Sequence, residues 1–434
     1  MPQDTSSYDD VLKTVYEGGI RELIPTKVKT LELFREKDAR EWGGREIRYP
    51  IRIGRNQGVG FGSEGGQLPA AGKQQYTTVS IPMRYQYGRI RLTGQVLKAS
   101  QGARNAFASA MEQEMDGLIR DLTADMGRAI LYDGRGILAL VNTDPGTTST
   151  VTVDAPGGVA GATNGSRFIN PDMLVAFIAP GTGALVSGGT AGVERVSTVP
   201  AAGTSFTTTT AVTGTIADND FVVRAMTTAT ASAVDTSYQK ESMGLLGLID
   251  DGTYVATLHG VNRTSYPLFQ SAVIASVGAV SADVLQRGID LADQRGDGEI
   301  DTLIMHHSIR RSYLASMEGD RRYMGGDLSR PDAGTVAAKR GTLSFGGIRV
   351  MEEKYAPYGV VFGLDGGSAV RYTLAAGEWM DEDGAILSRV GSGNTAEDSF
   401  EGVYRVWQNF HLEKPNTCFR LDGVTATVAV AHID

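Results

Sequence analysis

Glu46-Ile-Arg-Tyr-Pro-Ile-Arg-Ile53 and Val79-Ser-Ile-Pro-Met-Arg-Tyr-Gln-Tyr87 decide how this chain is read. In the first run Ile47, Tyr49, Ile51 and Ile53 alternate with Glu46, Arg48, Pro50 and Arg52. In the second, Val79, Ile81, Met83, Tyr85 and Tyr87 alternate in the same way. Period two marks strands with one apolar face. After Gly88-Arg89 the apolar phase passes to Ile90 and Leu92, which predicts a bulge at the glycine. Pro50 and Pro82 lie inside the runs, and proline fits a ladder only where no N–H is needed, so the pattern predicts a two-stranded ribbon and not a central sheet. Gln57-Gly-Val-Gly-Phe-Gly-Ser-Glu-Gly-Gly-Gln-Leu-Pro-Ala-Ala-Gly-Lys73 joins them as a long loop. At ~3.3 Å per residue the hairpin would reach on the order of 40 Å from its base. An isolated ribbon is marginal in water, so a second copy of the chain is the expected support.

Charge points the same way. Residues 40–104 hold eleven Lys or Arg and three Glu, a net of +8, within a chain of 434 residues whose net charge is -9. A basic arm on an acidic body is drawn to the surfaces of its neighbours, whereas an acidic chain is poorly suited to wrapping nucleic acid by charge neutralisation. With 41% hydrophobic and 21% charged residues the composition is that of a folded protein, and the length predicts two or more packed units. The 55 glycines imply many turns and loops. Cys418, the single cysteine, has no partner for an internal disulfide. The start of the chain carries no apolar signal region, and no run approaches the ~18 apolar residues of a membrane span. A soluble, intracellular protein is expected.

Outward from the hairpin, residues 104–132 place Phe107, Met111, Met115, Leu118, Leu122, Met126 and Ala129 at helical spacing without proline, predicting a helix ~45 Å long. Gly117 and Gly127 within it suggest a bend or a close backbone approach. Residues 142–232 are rich in Thr, Gly, Ala and Val and carry short strand patterns at 150–153, 174–178, 205–210 and 221–224, which predicts a small all-β insert. Mixed α/β structure follows, with helices near 281–295 and 308–317 and strands at 302–305, 348–351 and 360–364. Asp283 early in the first helix and Gly296 after it are start and stop signals. Strands at 369–374, 403–412 and 424–430 make the C-terminal part β-rich.

No motif supports catalysis. Gly60-Phe-Gly62-Ser-Glu-Gly65 matches the dinucleotide glycine pattern, but that pattern needs a following helix, and Gly66, Pro69 and Gly72 follow instead. Gly72-Lys73 lacks the Walker glycine and the Ser or Thr, since Gln67 and Gln74 stand there. Asp297-Gly-Glu-Ile-Asp301 has the glycine and the Glu of a calcium loop misplaced. His306 and His307 would point to opposite faces of a strand. Arg295-Gly-Asp297 reads as a helix end. The sequons at Asn164 and Asn262 mean nothing without secretion, and Cys418 reads as a buried inert thiol. No catalytic residue, cofactor or metal is expected.

In their order of basic hairpin, long helix, mixed domain and β-rich end, these elements resemble the major capsid proteins of tailed bacteriophages. That is the Hong-Kong-97-type shell fold, which encapsulins and the herpesvirus capsid floor also use. Met305-His-His-Ser-Ile-Arg-Arg-Ser-Tyr-Leu-Ala-Ser-Met317, Gly319-Asp-Arg-Arg-Tyr-Met324 and Phe345-Gly-Gly-Ile-Arg-Val350 look like the strand, helix and return strand of that family's axial domain. The resemblance implies an α+β fold with an N-terminal arm (1–42), an extended loop (43–99), and a spine helix with the start of a peripheral domain (100–141). An inserted β domain (142–232), an axial domain (233–367) and peripheral strands (368–434) would follow. The insert departs from the minimal fold, and its role stays open between bracing within a capsomer, surface display and docking of a decoration protein.

The implied function is a structural one, self-assembly as pentamers and hexamers into an icosahedral head around double-stranded DNA, which is held without sequence-specific binding. The partners implied are copies of the chain, scaffolding and portal proteins and a decoration protein. The place implied is the virion capsid, assembled in the host bacterial cytoplasm, with no membrane involved. No long charged helical leader stands at the start, so a separate scaffolding protein is expected in place of a cleaved segment. The alternatives are an encapsulin-like nanocompartment shell and, in another class, a nucleotide-binding enzyme using the loop at residues 60–65. Arg48, Arg52, Arg55, Arg84 and Arg89 of one subunit are expected to meet Asp381, Glu382, Asp383, Glu397 and Asp398 of the next. Some relatives crosslink an extended-loop lysine to a peripheral asparagine, for which Lys73 and Asn394 are the candidates here.

Overall fold

Before the hairpin, a short strand β1 (Arg35–Asp38) lies parallel to a later strand, Arg35 opposite Val370. β2 (Glu46–Gly54) and β3 (Gln75–Pro82) then form the expected two-stranded antiparallel ribbon, Ile47 opposite Ile81 and Tyr49 opposite Val79. β4 (Arg84–Thr93) and α1 (Gly94–Ser100) follow, then α2 (Ala110–Ala129). The structure, a computed structural model, describes residues 28–38, 46–100, 110–162, 164–188, 192–214, 216–226, 234–318, 343–381, 386–391 and 397–426. Most of the expected arm, Gly319 to Met324 and the end of the last expected strand lie outside them.

The expected bulge at Gly88 is not there. β4 runs through it without a break, Tyr85, Tyr87 and Arg89 exposed and Gly88 and Ile90 buried. The apolar phase changes earlier, at Met83, between the end of β3 and the start of β4. Gly88 serves helix packing instead, since a Cβ there would lie 2.7 Å from Leu122 Cδ1 and 2.9 Å from Leu118 Cγ. α2 spans about 30 Å from Ala110 at 1.5 Å per residue and ends at Ala129, short of Tyr132. Its two glycines differ. Gly127 lies against Val28 and Tyr355, where a Cβ would come within 2.6 and 2.9 Å of their side chains, whereas Gly117 faces open space.

The Thr- and Gly-rich stretch closes on itself. β5 (Ile137–Val141), β6 (Thr150–Asp154), β7 (Leu174–Ile178), β8 (Ser187–Gly188), β9 (Glu194–Thr198), β10 (Ser205–Thr208), β11 (Thr213–Gly214) and β12 (Phe221–Arg224) follow in turn. Six of them form a closed barrel in the order β10-β6-β5-β12-β7-β9, and β8 pairs with β11. Val151, Val153, Val175, Phe177, Val196, Phe206 and Val222 are buried there. The barrel begins at Ile137, ahead of the expected boundary at 142. Arg167 fastens it to the body by donating to the Ala356 and Lys354 carbonyls and lying 4.4 Å from the Tyr358 ring centroid.

The remainder is mixed. It comprises α3 (Leu245–Leu248), β13 (Thr257–Leu258), β14 (Val261–Asn262), β15 (Ala272–Ile274), β16 (Gly278–Ala279) and α4 (Ala282–Gly296). β17 (Thr302–Met305), α5 (His307–Glu318), β18 (Leu343–Phe345), β19 (Ile348–Glu352), β20 (Val360–Leu364), β21 (Ala369–Trp379), β22 (Ser388–Arg389), β23 (Ser399–Leu412), β24 (Phe419–Asp422) and β25 (Val424–Thr425) complete it. A six-stranded sheet runs β15-β24-β20-β17-β19-β18. Ser281 caps α4 by accepting the Val284 N–H at 3.3 Å, the usual role of a hydroxyl there. At the other end Gly296 stays helical, and Asp297 takes the left-handed turn at φ 53°.

Two compact units divide the chain. One draws on Gln86–Asp125 and Gly377–Val406, the other on Val28–Tyr85, Met126–Ala376 and Trp407–Asp434. In the smaller unit β4 and β22 both pair with β23. Gly88, Ile90 and Gly402 share the sheet face that turns toward α2 and Trp379.

Candidate assembly surface

The hairpin is held at its base and bare at its end. At the base the Ser80 N–H donates to the His259 carbonyl at 2.8 Å, the Asn409 amide donates to the Pro82 carbonyl at 2.7 Å, and the Tyr49 hydroxyl bonds His411 Nε2. At the neck of the loop Asn56 Oδ1 accepts the Gly58 N–H at 2.8 Å, and Gly72 packs so closely on Asn56 that a Cβ would lie 2.4 Å from that oxygen. Beyond the neck Val59 is 85% exposed, Leu68 89% and Phe61 fully so. Burying such side chains would be worth roughly 1.5–3 kcal/mol each. Gly60 to Gly65 lie in this loop between two strands with no helix after them, which is not the context a dinucleotide needs.

Arg–carboxylate pairs line the open face of the sheet in the smaller unit. Arg89 Nε lies 2.6 Å from Glu401 Oε1, Arg91 pairs with Glu397, and Arg405 Nε donates to Glu378 at 2.8 Å. Each pair is largely in water, where such contacts contribute ~0–1 kcal/mol. Hairpin arginine thus meets the acidic segment inside one chain. Arg91 and Glu401 were not among the expected residues, although each falls at an even spacing from one that was, two residues after Arg89 and four after Glu397, and so on the same strand face.

The other expected residues are scattered. Arg48 pairs with Glu46, and the Arg52 guanidinium donates to the Gly54 carbonyl at 3.4 Å. Arg55, Lys73 and Asp381 are exposed. Arg84 is partly buried, donates to the Gln239 carbonyl at 2.8 Å, and has its pKa lowered by that burial. The Asp398 carbonyl accepts the Gly94 N–H at 3.0 Å at the start of α1. Glu382, Asp383 and Asn394 lie outside the described residues.

Among the described residues no group of three or more His, Cys, Asp or Glu could hold a metal, and no helix is long and apolar enough to cross a membrane. His306 is buried with Nδ1 2.7 Å from Ser308 Oγ, and burial pushes its pKa down to about 2. His307 instead opens α5 with Nδ1 3.7 Å from Glu352. Cys418 is buried, as expected, and that burial raises its thiol pKa to about 11.

No family model matches the chain, and no curated protein matches its sequence. Solved structures do. The capsid asymmetric unit of cyanophage A-1(L) is similar over 98% of this chain and 100% of its own, with 9% identity and a TM-score of 0.59. Weaker likenesses include the capsid of a native GTA particle, with 9% identity over 97% and 98% of the two chains and a TM-score of 0.49. Another is the holo-SrpI encapsulin complex from Synechococcus elongatus PCC 7942, with 8% identity over 98% and 97% and a TM-score of 0.44. The first of these likenesses runs over nearly the whole chain, and the chain has the fold of a phage capsid protein.

Proposed function

We propose that this chain is a major capsid protein, a structural subunit that assembles as pentamers and hexamers into the closed head around the double-stranded DNA of a tailed phage. The observation that carries the reading is the hairpin tip, whose Val59, Phe61 and Leu68 stand in water in the single chain. Such a surface is completed by a neighbour. On this reading β2, β3 and their loop are the extended loop, α2 the spine helix, the six-stranded sheet the axial domain, and the sheet of the smaller unit part of the peripheral domain. The barrel is an added domain open to a decoration protein. Arg48, Arg52 and Arg55 are exposed hairpin charges placed to meet Asp381, Glu382 and Asp383 of the next subunit on this reading, and repetition over a shell makes many weak pairs count. Scaffolding and portal proteins complete assembly in the host cytoplasm, and Lys73 with Asn394 is the pair for any crosslink.

Particles from infected cells, treated with nuclease and then opened, test the reading. Protected genome-length DNA is expected; shells holding a cargo protein and no DNA would make the chain a nanocompartment. A variant carrying D381K and E382K should give fewer particles, and a normal yield would contradict the charge pairing.

A further inference from the structure

Two histidines meet beneath the hairpin. His259 lies in the turn between β13 and β14, and His411 stands near the end of β23. Both are buried, with ring centroids 5.0 Å apart. Each touches a different strand of the ribbon. His411 Nε2 bonds the Tyr49 hydroxyl of β2, and the His259 carbonyl accepts the Ser80 N–H of β3. The two are tied together, because His259 Nε2 lies 3.3 Å from the Phe410 carbonyl. His259 holds a left-handed backbone at φ 47°, a conformation that costs a non-glycine residue free energy and must be maintained by its surroundings.

Among the described residues, the carboxylates nearest the pair's neighbours are already engaged by cations. Tyr49 approaches from β2, Lys37 from β1, Arg84 from β4, and Arg263 from the segment after β14. Tyr372 of β21 and Glu413 face Tyr49. Glu413 is bound by Lys37 at 2.6 Å, and Asp250 is bound by Arg420 at 3.0 Å and Arg263 at 3.4 Å. His411 Nδ1 is buried without a partner.

We propose that His259 and His411 form an acid-operated latch, which holds the base of the hairpin while both rings are neutral and releases it when they take up protons. The Tyr49 bond is not itself the sensor, since a protonated Nε2 could still donate to the phenol oxygen. The sensor is the pair of buried charges. Burial keeps the His259 pKa down near 3 and that of His411 well below its usual range, and the neighbouring cations act in the same direction. Once released into water the rings titrate near ~6.5. The closed form is therefore fully favoured above that pH and loses ground as pH falls, by up to two protons, until the closed-form values are reached. This latch is independent of what the hairpin binds.

Hydrogen–deuterium exchange of the whole protein between pH 4 and 7, corrected for chemical exchange rates, tests it at Ser80 and across β2 and β3, with β17 and β20 as the internal reference. The opening constant of the ribbon should rise toward about 100-fold per pH unit below pH 6, by about tenfold in H411Q or H259Q, and hardly at all in the double variant. Ribbon amides that follow β17 and β20 in the wild-type protein would overturn the latch without any variant. So would a double variant that keeps the steep dependence.

Discussion

Gly88 and Gly117 each interrupt an apolar pattern in the sequence, and they do opposite things. Gly88 lets the sheet approach Leu118 and Leu122, whereas Gly117 lies on an open helix surface. Gly88→Ala should therefore overpack the contact and cost about 1–3 kcal/mol. Gly117→Ala should stabilise the protein by about 0.5–1 kcal/mol through helix propensity alone. Urea midpoints read both, and equal effects of the same sign would contradict the packing described. Such differences are invisible to periodicity, because they depend on what the other side of the backbone meets. The same holds for Asp250, which no motif or period marks in the sequence. In the fold it is fully buried between Arg263 and Arg420, and Arg420 also donates to the Leu246 and Ile249 carbonyls. No local spacing joins residues so far apart in the chain.

Elements with one apolar face were the legible ones. The ribbon and α4 follow their hydrophobic period closely. β9 escaped because its inward side begins with a carboxylate. Glu194 is buried, accepts from the Thr210 hydroxyl, and has its pKa raised by burial. β5 escaped because it is apolar on both faces, as a strand covered on both sides must be. The misplaced phase change near Gly88 has a similar source, since a strand break at Met83 and a bulge at the glycine leave the same pattern until the burial of each residue is known. Of the assembly surface, the basic hairpin was legible from charge, but the cis pairing of Arg91 with Glu397 depended on which strands became neighbours. Phe61→Ser with Leu68→Ser removes side chains that touch no core, so the unfolding midpoint should stay within about 0.5 kcal/mol of wild type. Association measured by sedimentation should fall sharply. Unchanged association would remove the tip from the assembly surface.

For the molecule as a whole, net charge and composition described neither unit. The -9 total sums a basic hairpin and a more acidic body, and the hairpin's own arginines are partly neutralised within the chain. Among the described residues the hairpin tip carries three of the most exposed apolar side chains, Val59, Phe61 and Leu68. The fold is shared with a phage capsid over 98% of this chain, and on the proposed reading a neighbouring copy would cover the tip. Electron microscopy of the purified protein, alone and with a candidate scaffolding protein, tests this most directly. Closed shells with five- and six-fold capsomers, each hairpin tip seated on a neighbouring copy, are the predicted result; a chain that stays monomeric under both conditions, at every concentration tried, would contradict it.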